Sequence, residues 1–309
     1  MTEVRILTSH LGWILEAFAK ESANAVGEQI RFKRIPTRRR EFLNPSNWRL
    51  HDAPELSPKK VLFLHHETLL RNKQELLGLD ARVLLTHFED DNHISPELLF
   101  KLEEISRIVV QNEGMLNLLI RHGIAPSKIR VGYGAVDRAV YHPQKVRASQ
   151  EFVLVVGDCK PRKNPELISK VILENLNRKF IIHGLHWSKY LSKEVLNSPN
   201  LKLINFSKAR NPLLMRQARL LLSLSIKEGG PIPVLEALAS GTPVLATNTG
   251  FCKEVIPSAY GAVIPLNSNP KEVSVIMNSL WKKKDECWSK DLLSDKFTWL
   301  ELGMLLYGN

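Results

Sequence analysis

The chain has 309 residues, of which 44% are hydrophobic and 24% are charged. This length favours two domains, and the composition excludes a disordered, collagen-like or low-complexity chain. No apolar run approaches the ~20 residues that span a bilayer, and the start lacks the basic and apolar regions of a signal peptide. Three distant cysteines, Cys159, Cys252 and Cys287, argue against a zinc site or a disulfide framework and favour a reducing cytoplasm.

The formal net charge is +11, and part of it is clustered at Arg31–Arg34 and Arg38–Arg40. Three interpretations stay open for these clusters: a solvated basic loop, contact with an anionic membrane face, and contact with an anionic substrate. Nucleic acid is not favoured as a partner, because the sequence contains no zinc finger, RNP-like aromatic stretch or helix-turn-helix spacing.

Short apolar runs alternate with amphipathic stretches through the first half of the chain. Strands are predicted at Val4–Thr8, Val61–Leu64, Val83–Thr86, Ile108–Gln111 and Ile129–Gly132. Helices are predicted at Trp13–Glu21, Pro96–Ile105 and Glu113–His122. This alternation is typical of an α/β domain with a parallel sheet, covered by helices on both faces.

The same alternation restarts after a polar stretch, His142–Gln150, which is the best candidate for a linker. Strands are predicted at Phe152–Val156, Phe180–His183, Leu201–Phe206, Leu220–Ile226 and Pro243–Ala246, with helices at Pro165–Asn175, Pro212–Arg219 and Pro233–Ser240. The prediction is therefore two Rossmann-like domains, 1–145 and 146–295. The final amphipathic stretch, 296–309, is expected to pack back on the first domain.

The most informative segment, Ser225–Gly250, reads S-I-K-E-G-G-P-I-P-V-L-E-A-L-A-S-G-T-P-V-L-A-T-N-T-G. Glu228 follows a buried strand, at the sheet edge where ligands of open α/β sheets bind. Gly229 and Gly230 allow a sharp turn and a close backbone approach to a ligand. Pro231 is tolerated near a helix start, whose free N–H groups favour oxygen-rich or anionic ligands.

Glu236 lies eight residues after Glu228, and the sequence predicts it in the first turn of the following helix. Two carboxylates from different elements thus face the same sheet edge, where they suit hydrogen bonding to sugar and ribose hydroxyls. The alternative is two structural glutamates, one capping a loop and one facing solvent.

The segment resembles the E-x7-E region of retaining glycosyltransferases of family 4, which have the GT-B fold. The matching positions are Glu228, Gly229, Pro233, Glu236, Ala237, Ala239, Gly241, Pro243 and Val244. The resemblance implies that Glu228 contacts the donor sugar and Glu236 the nucleotide ribose. It also implies that the backbone of Gly230, Pro231 and Ile232 approaches sugar and phosphate, although Pro231 lacks the N–H that the family usually offers there.

A second segment, Phe152–Asn164, resembles the family's G-R-x-x-x-x-K-G motif. It ends a buried strand at Gly157 and continues into a basic loop with Lys160, Arg162 and Lys163, cations that suit a departing diphosphate. The family's arginine position is Asp158 here, so Lys160 and Arg162 are both candidates to replace it. A solvated basic loop is the alternative for this segment.

Weaker resemblances occur elsewhere in the chain. Leu84–His87 is similar to the family's T-x-H region, which makes His87 a candidate catalytic residue, ahead of His65 and His66, and a purely structural histidine is the alternative. Gly12 is similar to a glycine loop that approaches the donor phosphate or the acceptor, and a glycine that serves only the turn is the alternative. Ile129–Asp137 resembles the family's interdomain segment, and Phe297–Trp299 resembles the F-x-W that starts its last helix.

The resemblance implies transfer of a sugar, with retention of configuration, from a nucleotide-diphosphate-sugar donor bound in the second domain. The acceptor, a glycan, a lipid-linked molecule or a small molecule, is expected in the first domain, and contact of the basic stretch Arg31–Arg40 with an anionic membrane or with the acceptor stays among the open alternatives. No metal and no cofactor are expected, and the expected location is the cytoplasm or the inner membrane face. A nucleotide-sugar epimerase and a non-enzymatic protein that binds sugar nucleotides remain as alternatives.

Overall fold

A computed structural model describes residues 4–8, 14–34, 59–72, 76, 78–86, 91–143, 151–287, 291–294 and 296–308. The chain divides into two compact units, Met1–Ala135 with Thr298–Asn309, and Val136–Phe297. The boundary expected after residue 145 thus falls inside the second unit. In the described part of the chain, no helix is both long enough and apolar enough to cross a membrane.

The first unit is built on a parallel six-stranded sheet. Its strands are β1 (Val4–Thr8), β2 (Ile30–Arg34), β3 (Lys60–Leu64), β4 (Asp80–Leu85), β5 (Arg107–Val110) and β6 (Ile129–Val131). Its first helices are α1 (Ile14–Val26), α2 (His66–Leu70), α3 (Pro96–Glu103) and α4 (Glu113–Arg121). The strand order is β2-β1-β3-β4-β5-β6, so the order along the chain reverses between β1 and β3.

The core of this unit forms because its central strands are apolar on both faces, as parallel strands covered by helices must be. Phe63, Val83 and Ile108 are fully buried on neighbouring strands, and Leu98 and Met115 meet them from α3 and α4. The interpretation of Arg31–Arg34 as a loop was wrong, since β2 pairs in parallel with β1. Its charges are tolerated because β2 is an edge strand of the described sheet.

The second unit repeats this architecture. Its strands are β7 (Phe152–Val156), β8 (Lys179–His183), β9 (Leu201–Ile204), β10 (Leu220–Ser223), β11 (Val244–Thr247) and β12 (Gly261–Ile264). Its helices are α5 (Pro165–Glu174), α6 (Lys193–Leu196), α7 (Asn211–Gln217), α8 (Ile232–Ala239), α9 (Cys252–Val255), α10 (Pro270–Trp281) and α11 (Lys284–Cys287). The order β12-β11-β10-β7-β8-β9 reverses between β7 and β10, and ligands of such sheets bind beside that reversal.

The last helix, α12 (Trp299–Tyr307), belongs to the first unit and packs along α1. The rings of Phe18 and Trp299 meet edge to face, with centroids 5.7 Å apart. Gly303 permits a close approach, because a Cβ there would lie 2.4 Å from the Ser22 carbonyl oxygen. Thr298 caps the start of α12 by accepting a hydrogen bond from the Glu301 N–H at 3.2 Å.

Three cations, which we call the helix clamp, hold the carboxyl end of α12. Arg82 Nη1 donates to the carbonyl oxygens of Leu306 (3.0 Å) and Gly308 (2.6 Å). Lys60 Nζ reaches the Tyr307 carbonyl oxygen at 2.8 Å, and Arg107 Nη1 reaches that of Gly308 at 2.8 Å. The last carbonyls of a helix lack intrahelical partners and carry partial negative charge, so these contacts stabilise the end of α12.

Candidate functional site

The loop after β7 is shaped to bring a lysine to the carboxyl edge of the second sheet. Gly157 has a φ of +114°, a backbone conformation that favours glycine, and its carbonyl oxygen accepts from Trp187 Nε1 at 2.8 Å. A short turn over Pro161–Lys163 follows, and Asn164 then caps α5 by accepting from the Leu167 N–H at 3.3 Å. Lys163 therefore lies between the strand end and the helix start.

The loop after β10 meets the first loop across the reversal of strand order. β10 ends at Ser223, three residues before the predicted Ile226, because the Ile226 N–H donates to the Arg162 carbonyl oxygen at 2.8 Å instead of continuing the strand ladder. Gly250 lies against this loop, and a Cβ at that position would meet the Gly229 carbonyl oxygen at 2.8 Å. The loop that carries Glu228 is thus held from both sides.

Glu228 and Ser225, which are buried, form one cluster with the partly exposed Lys163 and Arg162, and we call it the carboxylate cluster. Glu228 is 4% exposed, and its Oε1 lies 2.6 Å from both Lys163 Nζ and Arg162 Nη1. Ser225 Oγ donates to the same oxygen at 2.8 Å. Burial would raise the pKa of Glu228, but the two cations and the hydrogen bonds hold that pKa below its ordinary value.

Two cations and one carboxylate leave the carboxylate cluster with an excess positive charge. Arg162 keeps a third of its side chain exposed, and Lys163 keeps 14%. A sheet edge with excess positive charge attracts an anion, and a diphosphate suits both cations. The sequence-predicted residues Glu228, Lys163 and Arg162 are thus brought together.

Asp158 has a structural part in this loop. Its Oδ1 accepts from the Leu185 N–H at 2.8 Å, and the Cys159 N–H donates to the Leu185 carbonyl oxygen at 2.8 Å. These bonds join the loop after β7 to the loop after β8. Lys160 is exposed at the start of the following turn, whereas Arg162 contacts the carboxylate of Glu228.

Glu236 lies in the second turn of α8, so its predicted placement in the first turn was wrong. The helix begins at Ile232, one residue earlier than predicted, after Pro231 in an extended conformation. Glu236 Oε2 accepts from Asn211 Nδ2 at 2.9 Å. Burial raises the pKa of Glu236, and hydrogen bonds from Tyr141 and Asn211 oppose that rise.

Three polar residues beside Glu236 were not predicted from the sequence: Tyr141, Asn211 and His183. Each is buried, and Asn211 bonds to the other two and to Glu236. A polar residue just before Pro212, at the start of a predicted helix, was the available signal for Asn211. Tyr141 and His183 gave no signal that separates them from ordinary core residues.

Several predicted residues lie outside the described part of the chain, namely Gly12, His87 and the cluster Arg38–Arg40. His65 and His66 are described, and they follow β3 at the reversal of strand order in the first sheet. Their rings lie 4.1 Å apart, and with Glu67 they bring possible metal-ligating atoms within 4.8 Å of one another. The expectation of a site without metal stays a prediction.

Solved structures of other proteins share the fold of this chain. The fold is that of GT-B glycosyltransferases, as shown by similarity to the Anabaena protein HepE solved with UDP-glucose (TM-score 0.78, 14% identity, 99% of this chain and 98% of that chain). WaaG, a glycosyltransferase involved in lipopolysaccharide biosynthesis, is also similar (TM-score 0.69, 14% identity, 99% of this chain and 100% of that chain). The predicted fold class, α/β with two parallel sheets as in GT-B structures, is thereby confirmed.

Two sequence comparisons concern narrower stretches of the chain. Residues 137–289, just under half of the chain, match the family "Glycosyl transferases group 1", so the second unit is similar to that family. The chain is also 27% identical over 180 residues to one of the subunits of phosphatidylinositol N-acetylglucosaminyltransferase from Arabidopsis thaliana. That match covers 53% of this chain and 40% of the plant protein.

Proposed function

We propose that the protein is a retaining glycosyltransferase that moves a sugar from a nucleotide-diphosphate-sugar donor to an acceptor hydroxyl. The observation that carries the proposal is the carboxylate cluster, which lies beside the reversal of strand order in a unit that matches the family "Glycosyl transferases group 1". In the reaction, the acceptor oxygen bonds to the anomeric carbon as the bond to the diphosphate breaks. The proton of the acceptor hydroxyl leaves with the diphosphate.

Each residue of the cluster has a proposed part in this step. Lys163 and Arg162 stabilise the charge that grows on the departing diphosphate, because preorganised cations in a buried site act strongly on developing charge. Glu228 accepts hydrogen bonds from the donor sugar and keeps the two cations in place. Arg162, rather than Lys160, takes the place of the family's arginine, since Arg162 reaches Glu228.

The donor is proposed to be a sugar linked to uridine diphosphate, like the UDP-glucose that is bound in the HepE structure. The ribose of this donor is proposed to bind Glu236, and the sugar to lie against the backbone at Gly229, Gly230 and Ile232. Gly157, at the end of β7, is proposed to allow the diphosphate close to the backbone. No metal takes part in the proposed step, because Lys163 and Arg162 supply the positive charge.

The acceptor is proposed to be a lipid-linked molecule or glycan, bound in the first unit, and the basic edge strand β2 is proposed to contact an anionic membrane. Arg31 is exposed on this strand, and each basic residue near an anionic bilayer contributes about 1 kcal/mol of attraction. Sedimentation with liposomes tests this contact. Salt-sensitive binding to anionic vesicles is expected, and equal binding to neutral and anionic vesicles would contradict the proposal.

A thermal-shift screen of nucleoside diphosphates and nucleotide sugars, followed by a transfer assay, tests the activity. A ligand at 100 times its dissociation constant adds roughly 2.7 kcal/mol to stability, which is readily detected. Glu236→Ala is expected to weaken nucleotide binding by about 1.5–3 kcal/mol, in calorimetry. Donor interconversion without acceptor would indicate an epimerase, and binding without turnover would indicate a non-enzymatic binding protein.

A further inference from the structure

A connected row of polar side chains lies beside Glu236 in the second unit. Asn211 is the first residue of α7 and is 1% exposed. Its Nδ2 donates to Glu236 Oε2 at 2.9 Å and to the Tyr141 hydroxyl oxygen at 3.0 Å. Its Oδ1 lies 3.2 Å from Nδ1 of His183, a fully buried residue at the end of β8.

The direction of these hydrogen bonds follows from one backbone group. The Ser207 N–H, which can only donate, points to His183 Nε2 at 2.9 Å. His183 Nε2 must therefore accept, and the neutral ring carries its proton on Nδ1. That proton is donated to Asn211 Oδ1, so the oxygen side of the Asn211 amide faces His183. The NH2 side then faces Glu236.

Burial reinforces this arrangement. It lowers the pKa of His183, which keeps the ring neutral and able to accept at Nε2. The Tyr141 hydroxyl oxygen accepts from Asn211, which leaves its proton directed to the Glu236 carboxylate. The Glu236 carboxylate thus accepts hydrogen bonds from two uncharged donors, Asn211 and Tyr141. The orientation of the Asn211 amide is set by His183, at the end of β8, and the tautomer of His183 is set by the Ser207 N–H.

We propose that His183, Asn211 and Tyr141 are positioning residues, which hold the Glu236 carboxylate in the orientation that receives the ribose hydroxyls of a nucleoside diphosphate. The inference rests on the proposed function. A loosely held carboxylate loses affinity because it must be ordered when the ligand binds, whereas a carboxylate held by the row is already ordered.

The test compares a ribonucleotide with its analogue that lacks the ribose hydroxyls. Calorimetry with UDP and with 2′,3′-dideoxy-UDP is carried out on the full chain and on the variants Tyr141→Phe and Asn211→Ser. We expect each variant to bind UDP about tenfold more weakly and the dideoxy analogue nearly as well as the unmodified protein does. Only a role exerted through the ribose contact predicts this difference between the two ligands.

Asn200→Ser is the matched control. Asn200 is also a buried asparagine of the second unit, and its Nδ2 donates to the carbonyl oxygens of Ile172 (3.1 Å) and Asn175 (3.0 Å). This variant is expected to lower the melting temperature without changing the preference for UDP over the dideoxy analogue. A variant of Tyr141 or Asn211 that weakens both ligands equally, or neither, would overturn the positioning role.

The same experiment separates this inference from the proposed function. If the unmodified protein binds neither UDP, GDP nor ADP, the proposed function fails and the positioning role fails with it. If it binds UDP and prefers the ribose form, but Tyr141→Phe and Asn211→Ser keep that preference, the positioning role alone fails. GDP or ADP, with its dideoxy analogue, replaces UDP in all arms if it binds more tightly.

Discussion

Both units gather cations at one edge of a parallel sheet, but the edges are opposite. The helix clamp draws Lys60, Arg82 and Arg107 from near the amino ends of β3, β4 and β5. The carboxylate cluster draws Lys163 and Arg162 from beyond the carboxyl end of β7. The two groups contain the same residue types, so composition does not distinguish them.

Their partners do distinguish them. The clamp cations meet main-chain carbonyls of α12, which are part of the fold and are always present. The cations of the carboxylate cluster share one oxygen of Glu228, although Arg162 also donates to the Lys227 carbonyl oxygen at 3.2 Å, and their charge exceeds that of Glu228. Positive charge at the amino edge of the sheet is therefore expected to serve stability, and positive charge at the carboxyl edge to serve binding.

The largest effect is expected at the carboxylate cluster. Lys163→Ala and Glu228→Ala are each expected to reduce sugar transfer by ~10²–10³-fold, because a preorganised partner of the diphosphate or of the donor sugar is lost. Lys163 and Glu228 form a largely buried ion pair, so each variant should also melt at a lower temperature but remain folded under the assay conditions. Turnover with the cognate donor, measured beside a melting curve, checks both statements.

Lys170→Ala is the control for the Lys163 and Glu228 variants. Lys170 lies on α5, seven residues after Lys163, and forms an exposed ion pair with Glu166. It should keep full turnover, because exposed pairs contribute little. Near-normal turnover in the Glu228 variant would count against the resemblance to family 4 as a whole.

At the helix clamp, the expected effect is on stability. Arg82→Ala removes two bonds to the end of α12 and the partner of Asp80, which lies 2.6 Å from Arg82 Nη2. We expect a loss of about 2–3 kcal/mol in the free energy of unfolding, with nucleotide affinity unchanged. Denaturant unfolding and calorimetry measure the two quantities. Arg130→Ala, at an exposed arginine of the same unit, should leave both the free energy of unfolding and the nucleotide affinity unchanged.

A smaller effect separates the two candidates for the family's missing arginine. Arg162→Ala is expected to weaken nucleoside diphosphate binding about tenfold, since a charge-assisted contact is lost. Lys160→Ala is expected to weaken it less, because Lys160 is exposed and its charge is screened by water and salt. Calorimetry of the two variants decides between them, and the reverse order would assign the phosphate contact to Lys160.

The smallest expected effect concerns pH. The pKa of Glu228 is lower in the folded protein than in the unfolded chain. Its ion pairs therefore stabilise the fold at pH values above the ordinary glutamate pKa, and this stability is lost as the pH falls through the lowered pKa. Glu228→Gln should therefore lose less stability between neutral and acid pH than the unmodified protein. Denaturant unfolding at both pH values measures this difference. Glu194→Gln, at an exposed position, should show the unmodified slope.

The sequence predicted the fold well where its apolar runs were unambiguous. The strands Val4–Thr8 and Phe152–Val156 were predicted with the bounds that the structure shows. It failed at β2, because an edge strand can be held by backbone pairing while its side chains stay basic. It also missed β12, whose four residues begin with Gly261 and carry a weak strand signal.

The candidate site was predictable only in part, for a physical reason. Glu228 and Lys163 could be found because glycines and prolines mark the loops in which they lie. Asn211 and His183 could not, since their contacts join elements that are distant in sequence and depend on which strands become neighbours. The register of a sheet decides such contacts, and a linear pattern does not contain it.

The position of α12 has a consequence for how the protein is made. A ribosome delivers the amino-terminal part first, and domains generally fold as units during synthesis. The first unit nevertheless includes residues 298–308, which emerge only after the whole second unit. Until then, the face of α1 that receives Trp299 and Gly303 lacks its cover, and the clamp cations lack their carbonyl partners. The second unit is thus expected to reach its native state before the first, although the first begins the chain.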